Sequence, residues 1–277
     1  MTGVQTCALP IWGYNSLRFD DEVSRHLFYR NLFDPYAREW QNGNSRWDLI
    51  DAVRAFYALR PEGIEWPQRE DGAPSFKLEH LTAANGIEHA GAHDALADVR
   101  ATIALAQRLR DANPKFFEHL LSLRDKRRVA ALLDVEARKP MLHVSRRYPA
   151  SRGCSALVVP LAKHPSNPNG VIVYDLAVDP APLASLSLEE IKARLFVSES
   201  ELAEGESRIP LKVVHLNRSP VLLPIAAVDA TVAERLSIDR ALCERHWQAL
   251  LQNPEAASKA AAAFADGPAE PPRDPDL

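Results

Sequence analysis

The chain has 277 residues, enough for about two domains, and its 46% hydrophobic and 25% charged content are those of an ordinary soluble protein. No apolar run is long enough to cross a membrane. A net charge of -4 does not by itself suggest a nucleic-acid binder, and the three scattered cysteines (Cys7, Cys154 and Cys243) argue against a disulfide framework and fit a reducing cytoplasm.

Residues 1–11 have neither the basic start nor the apolar core of a signal peptide. They read as the translation of a sequencing-adapter oligonucleotide, with Trp12 as a junction codon. Natural sequence is then expected to begin near Gly13, with the N-terminal part of the protein missing. Gly13 to Phe28 reads as the end of a strand, a turn at Asn15-Ser16, and a helix that Asp20 or Asp21 can cap. Val23, Leu27 and Leu32 lie on or near one face of that helix, which stops at Asp34-Pro35. Asp20 has two readings: an N-cap, or a carboxylate held at the mouth of a cleft.

From Tyr36 to Arg60 aromatic residues alternate with arginines, the pattern that grips single-stranded nucleic acid by stacking and by phosphate pairing. Trp47, Phe56 and Tyr57 fit the buried side of a helix from about Trp47 to Ala58, leaving Tyr36, Trp40 and Arg54 as ligand-facing candidates. A long loop through Pro61–Pro67 and Glu70–Pro74 follows. Ser75 then caps a short helix, Phe76 to Ala84, which carries Lys77 and ends at Asn85-Gly86.

His93-Asp94-Ala-Leu-Ala-Asp98 begins the next helix, with Leu96, Val99, Ile103 and Ala106 at helical spacing. A carboxylate that can hold a divalent metal and a histidine that can take a proton from water suit a hydrolytic site. Plain capping and surface charge explain the same residues taken alone.

Asn113-Pro114 breaks the chain, and the domain boundary is placed there. Two short helices, Lys115–Leu123 and Asp125–Leu133, precede a change to strand pattern at 141–145, 155–161, 170–175, 211–215 and 220–223, which suggests a small barrel. A helix over Leu188–Leu195 is inserted, with Ser187 as N-cap and Glu190 completing a capping box. Thr231 to Phe264 is helical, with Leu236, Leu242, Trp247 and Leu251 as its core, and Asp266–Leu277 reads as a disordered tail. Arg108–Arg152 holds twelve Lys/Arg against five Asp/Glu, which can be a phosphate-facing surface or a solvated helix face.

Asn15-x-x-x-Phe19-Asp20 followed by His93-x-x-x-x-Asp98 resembles the histidine-containing 3′-5′ exonuclease superfamily that uses four acidic residues. Within it, Gly13–Val23, Asn44–Asp51, Tyr57–Gly63, Pro74–Leu81 and Ala84–His89 are similar to the bacterial exodeoxyribonuclease I family. The resemblance runs to about Phe264. It implies an α/β fold: a truncated ribonuclease-H-like exonuclease domain over 13–113, then an SH3-like β-barrel domain with inserted helices over 114–265. Residues 1–12 are set aside, 266–277 form the tail, and the family's C-terminal helical domain is expected to be missing.

The resemblance further implies degradation of single-stranded DNA from its 3′ end in DNA repair and recombination, with two Mg2+ ions or alternatively Mn2+. Asp20 and Asp98 become metal ligands and His93 the general base. Lys77 is expected to contact substrate near the scissile phosphate, and Arg25, Tyr36, Trp40, Arg54 and Arg60 to line the strand's path. Lys139 is the expected contact for the tail of the single-stranded-DNA-binding protein. The family's other two acids form an Asp-x-Glu pair on a strand expected upstream of Gly13, so this polypeptide is expected to have little or no nuclease activity; separately, a monomer in the cytoplasm is expected. The alternatives are a non-catalytic single-stranded nucleic-acid-binding module and an RNA or proofreading exonuclease of the same superfamily.

Overall fold

The computed structural model describes residues 10–89, 94–197 and 201–265, which fall into two compact units. The first takes in the described residues up to Arg128 together with Val144–Cys154 and Asn217–Val221, and the second takes the remainder.

In the first unit β1 (Pro10–Gly13) pairs in parallel with β2 (Ser45–Asp48), Gly13 opposite Asp48. Parallel neighbours need a crossover, and it is made by α1 (Asp20–Arg30) and the single turn α2 (Ala37–Trp40). α2 starts where Asp34 Oδ1 accepts from the Tyr36 and Ala37 amides at 2.8 and 3.1 Å. α1 begins without a side-chain cap: Phe19 holds the N-cap position, and Asp20 and Asp21 are its first helical residues. Their charge instead complements the helix dipole. Val23, Leu27 and Leu32, expected on one face, are all exposed.

The helix expected from Trp47 starts two residues later. Ser45–Asp48 is strand, and the Asp48 side chain caps α3 (Leu49–Leu59) by accepting from the Ile50 amide at 3.1 Å. Four residues of strand are too few for alternation to be read against the helical period that follows. α3 is apolar on most sides and is buried accordingly, with Leu49, Ala52, Val53 and Phe56 fully enclosed. α4 (Leu78–Ala84) is also shorter than expected. Ser75 does not cap it: Lys77 holds the N-cap position, and the Ser75 hydroxyl is engaged with His80 Nδ1 at 2.8 Å.

α5 (Ala95–Ala112) buries Ala101, Thr102, Leu105, Ala106 and Leu109, and leaves Leu96, Val99 and Ile103 exposed. α6 (Pro114–Ser122), assigned from the sequence to the second domain, packs within the first unit. Phe116 meets Phe56 edge-on at 4.9 Å, and Phe117 meets Trp47 at 5.3 Å. Trp12 of β1 joins that cluster, 5.1 Å from Trp47. α7 (Lys126–Leu132) follows.

The second unit is built on a five-stranded sheet in the order β6-β5-β4-β3-β7. Its strands are β3 (Met141–Val144), β4 (Ser155–Lys163), β5 (Gly170–Asp175), β6 (Leu211–His215) and β7 (Val221–Pro224). β4, β5 and β6 pair antiparallel, with a register shift between Pro160 and Ala162, where proline has no amide to give the ladder. α8 (Ala181–Ser185) and α9 (Leu188–Leu195) follow β5. α9 has the expected capping box, Glu190 amide to Ser187 Oγ and Ser187 amide to Glu190 Oε2. The helical stretch from Thr231 resolves into α10 (Ala230–Arg235), α11 (Arg240–Gln252) and α12 (Ala256–Ala263). Asp229 and Asp239 cap the first two of these. Cys243 and Leu250, rather than Leu242 and Leu251, face the core of α11. The 266–277 tail lies outside the described residues.

Candidate active cleft

The chain from β1 to α1 is shaped from below by Asp48. Its Oδ1 accepts from the Asn15 amide at 2.7 Å, and its Oδ2 from the Leu17 amide at 3.3 Å. These bonds hold a tight turn in which Asn15 adopts the left-handed conformation, φ 58°, one that asparagine tolerates better than most residues. Burial pushes the Asp48 carboxyl up to about 6 against the pull of its backbone donors, and the neighbouring charge of Asp51 adds to the rise. Tyr14, on the same turn, donates its hydroxyl to Phe76 O at 2.6 Å and is driven to a raised pKa by burial.

This turn delivers Asp20 to the rim of a cleft of about 790 Å³ inside the first unit. Asp21, one residue on, points into a buried ion network. Arg46 Nη1 lies 2.8 Å from Asp21 Oδ2, and Arg46 Nε lies 3.0 Å from Glu39 Oε2. Arg25 Nε in turn lies 2.8 Å from Glu39 Oε1, and Arg38 reaches Asp21 Oδ1 at 4.0 Å. α1 is therefore tied through its first turn to β2 and α2.

The facing wall is the start of α5 and the segment from α4. Asp94 caps α5 by accepting from the Ala97 amide at 3.0 Å. One turn on, Asp98 Oδ1 lies 2.7 Å from His89 Nε2, and His89 Nδ1 lies 3.2 Å from Thr82 Oγ1 of α4. Asp20, Asp98, His89 and Lys77 all line the one cleft.

The other expected site residues divide. His93 lies outside the described residues. Tyr36 and Trp40 are exposed, at 51% and 61%, but do not line the cleft. Arg25 is committed to Glu22 and Glu39, with its guanidinium 5.2 Å from the Tyr36 ring centre. Arg54, read as ligand-facing, is instead buried at 8% exposure: it pairs with Asp51, and its guanidinium lies 5.7 Å from the Phe76 ring centre. The hydrophobic helix α3 carries it inward, where Asp51 one turn earlier supplies the counter-charge. Arg60 donates to Leu59 O, with its guanidinium 5.7 Å from the Phe116 ring centre, and does not line the cleft. Lys139 is exposed in the second unit. Nearby, the Ala137 and Glu136 amides hold Asp134 below the usual carboxylate range, with Lys139 contributing a smaller effect.

His89 and Asp48 are not marked by residue patterning, and Arg46 is marked only as one of the arginines alternating with aromatics between Tyr36 and Arg60. Each acts through a partner distant in sequence or across an irregular segment, so no local period marks it. The nine-residue spacing from His89 to Asp98 crosses the start of a helix and has no helical meaning.

Asp20 and Asp98 supply hard oxygen donors, which suit one cation of the magnesium or manganese type keeping water in its remaining positions. They do not amount to the donor set of an ion pair. Among the described residues no group of three or more His, Cys, Asp or Glu side chains could hold a metal.

Comparison with known proteins bears on both units. Residues 11–106 match the family model described as Exonuclease, and residues 124–266 match the Exonuclease I SH3-like domain. A carboxylate-lined exonuclease domain followed by an SH3-like domain is the class that fold and cleft define. The chain belongs to the exonuclease I family. Exodeoxyribonuclease I of Escherichia coli (strain K12) is 49% identical over 96% of this chain and 55% of its own length. The zinc-ion-bound E. coli ExoI–ssDNA complex superposes with a TM-score of 0.90 at 47% identity, over 96% of this chain and 57% of that one. The ExoI/SSB-Ct complex gives 0.88 at 48% identity, over 93% and 56%. The chain thus spans about half the length of the relatives it matches. The first of these two solved structures is a zinc-bound form. Among the described residues no helix is long and apolar enough to cross a membrane.

Proposed function

We propose that the protein is a 3′-5′ exonuclease that hydrolyses single-stranded DNA to nucleotides, serving DNA repair and recombination in the cytoplasm. The observation that carries this reading is one cleft, within the stretch matching the Exonuclease model, lined by both Asp20 and Asp98. Phosphodiester hydrolysis needs a deprotonated water and a stabilised leaving oxygen. Asp20 and Asp98 are the ligands for Mg2+, or alternatively Mn2+, and such an ion supplies charge to the phosphate oxygens and acidity to bound water. His93 is assigned the water's proton by the family resemblance, a role suited to a side chain whose unperturbed pKa is ~6.5. Lys77, with its side chain 67% exposed on the cleft wall, is the candidate phosphate contact. Tyr36 and Trp40 offer exposed rings on which bases can stack. Arg25 and Arg60 can serve this path only at its margin, since each is already engaged within the protein. Lys139 is the candidate contact for the single-stranded-DNA-binding protein's tail, which is charge-matched to a lysine if acidic.

A polypeptide limited to these 277 residues is proposed to have little or no nuclease activity and to act as a monomeric single-stranded-DNA-binding module. The donor set favours this second reading: Asp21 and Glu79 also line the cleft, but among the described residues no three His, Cys, Asp or Glu side chains group to hold a metal, where the resemblance implies four acids. The RNA or proofreading alternative is disfavoured by the match to an SH3-like domain specific to exonuclease I. The test is digestion of 3′-protruding single-stranded DNA with Mg2+ and with chelator. The chain is run beside a version extended at its N-terminus with a family Asp-x-Glu strand. Cleavage by the extended version alone, lost in His93→Ala, supports the proposal. Robust Mg2+-dependent cleavage by the chain itself overturns the inactive-module reading.

A further inference from the structure

Asp98 is 45% exposed at its side chain, whereas its partner His89 is only 7% exposed. The buried ring therefore fixes the exposed carboxylate, not the reverse. His89 is held between α4 and α5. Its Nδ1 is 3.2 Å from Thr82 Oγ1, and that hydroxyl is itself within 2.9 and 3.0 Å of the Leu78 and Glu79 carbonyls. Thr82 is buried, at 1% exposure, so the ring has a rigid back wall.

The hydrogens can be accounted for. A carboxylate offers lone pairs only, so Nε2 must carry the hydrogen that joins it to Asp98 Oδ1 at 2.7 Å. At the other end the Thr82 hydroxyl has a single hydrogen: given to the Leu78 or Glu79 carbonyl, it leaves the oxygen to accept from Nδ1, with both ring nitrogens then carrying hydrogen; given to Nδ1, it leaves the two carbonyls without it. Because the Nε2 hydrogen is committed to Asp98, His89 is poorly placed to take a proton from water. It is well placed to choose the carboxylate's rotamer. Metal-binding carboxylates are commonly held from behind in this way, and losing the outer partner typically costs ~10–100-fold in metal affinity.

We infer that His89 is a positioning residue that holds the Asp98 carboxylate to the cleft, with Thr82 orienting its ring; this rests on the reading of Asp98 as a metal ligand. The competing explanation is that His89 merely ties the segment before α5 to α4 for stability. The two separate by chemistry. Glutamine at this position places an amide N–H near the site of Nε2–H, whereas leucine fills the space without a donor.

The test uses the full chain. Mn2+ binding is followed by electron paramagnetic resonance for wild type, Asp98→Ala, His89→Leu, His89→Gln and Thr82→Val. The ring nitrogens of His89 are followed by 15N NMR without metal. The inference predicts that His89→Leu weakens Asp98-dependent Mn2+ binding at least ~10-fold, while His89→Gln stays within about threefold of wild type. It also predicts that Asp98→Ala moves the Nε2 resonance. Equal loss in His89→Leu and His89→Gln, or no loss in either, overturns it, and if His89→Leu does not fold, Thr82→Val decides: weakened Asp98-dependent Mn2+ binding supports the inference and wild-type binding overturns it. A Nε2 resonance indifferent to Asp98→Ala overturns the contact itself. If that contact is intact but wild type shows no Asp98-dependent Mn2+ binding, the metal reading of the cleft has failed, and the role assigned to His89 falls with it.

Discussion

Arg46 uses one guanidinium to hold two carboxylates, donating from Nη1 to Asp21 at 2.8 Å while its Nε lies 3.0 Å from Glu39. Asp21 follows Asp20 directly, so this buried pair sets where α1 begins and where the Asp20 carboxylate meets the cleft. Removing one partner of such a pair strands a buried charge. Arg46→Ala should cost about 3–5 kcal/mol in urea unfolding. Arg46→Lys should recover only part of this, since an ammonium cannot fork between two carboxylates. A loss under 1 kcal/mol for Arg46→Ala would show that the network contributes little.

Asp48 gives a pH dependence with a definite sign. Burial raises its pKa in the folded chain to about 6, from an ordinary aspartate value of 3.8. The folded state therefore binds this proton more tightly than the unfolded state. The group's contribution is fully present below the unfolded value and is lost as pH rises through 6. Between pH 4.5 and 7.5 the wild type should lose about 2 kcal/mol relative to Asp48→Asn, measured by urea unfolding at each pH. A constant difference across that range would mean that Asp48 titrates as an ordinary carboxylate.

Trp47 is the largest enclosed side chain of the first unit, edge-on to both Trp12 and Phe117. Trp47→Ala should cost about 3–5 kcal/mol. Trp12→Ala should cost distinctly less, because that ring is 38% exposed. Thermal unfolding of the two variants checks the order.

In the second unit the capping box at Ser187 is a local device. Ser187→Ala should cost about 1 kcal/mol of stability. It should also remove the Ser187 hydroxyl's hydrogen bond, the larger of the two that hold the Glu190 carboxyl below the usual range, so its pKa rises part of the way toward an ordinary glutamate's in NMR titration while the backbone amide at 187 still donates.

What the sequence made legible follows the range of the interactions. The Ser187/Glu190 box joins residues three positions apart and is legible in full. The five strands of the second unit were located to within two residues at either end, because turn residues and β-branched runs bracket them locally. β2 was hidden because Trp47 is apolar at a position that continues the period of α3, and only pairing with β1 makes it a strand. Arg54 looked available for phosphate because sequence shows its charge but not Asp51 turned toward it inside the fold. Asp20 and Asp98 were legible as candidates, and the structure sets them on one cleft. His89 was not, because its role exists only through Thr82 and Asp98, which meet it in space.

The most direct test of the account is the Mg2+-dependent release of nucleotides from 3′-labelled single-stranded DNA by the N-terminally extended chain, with Asp20→Asn, Asp98→Asn and His93→Ala variants beside it. The account predicts processing by the extended chain and a loss of at least ~100-fold in each variant, the scale expected when a positioned acid–base group or a metal ligand is removed. Undiminished digestion by Asp20→Asn or Asp98→Asn would contradict it, because the cleft would then not be where the phosphodiester is cut.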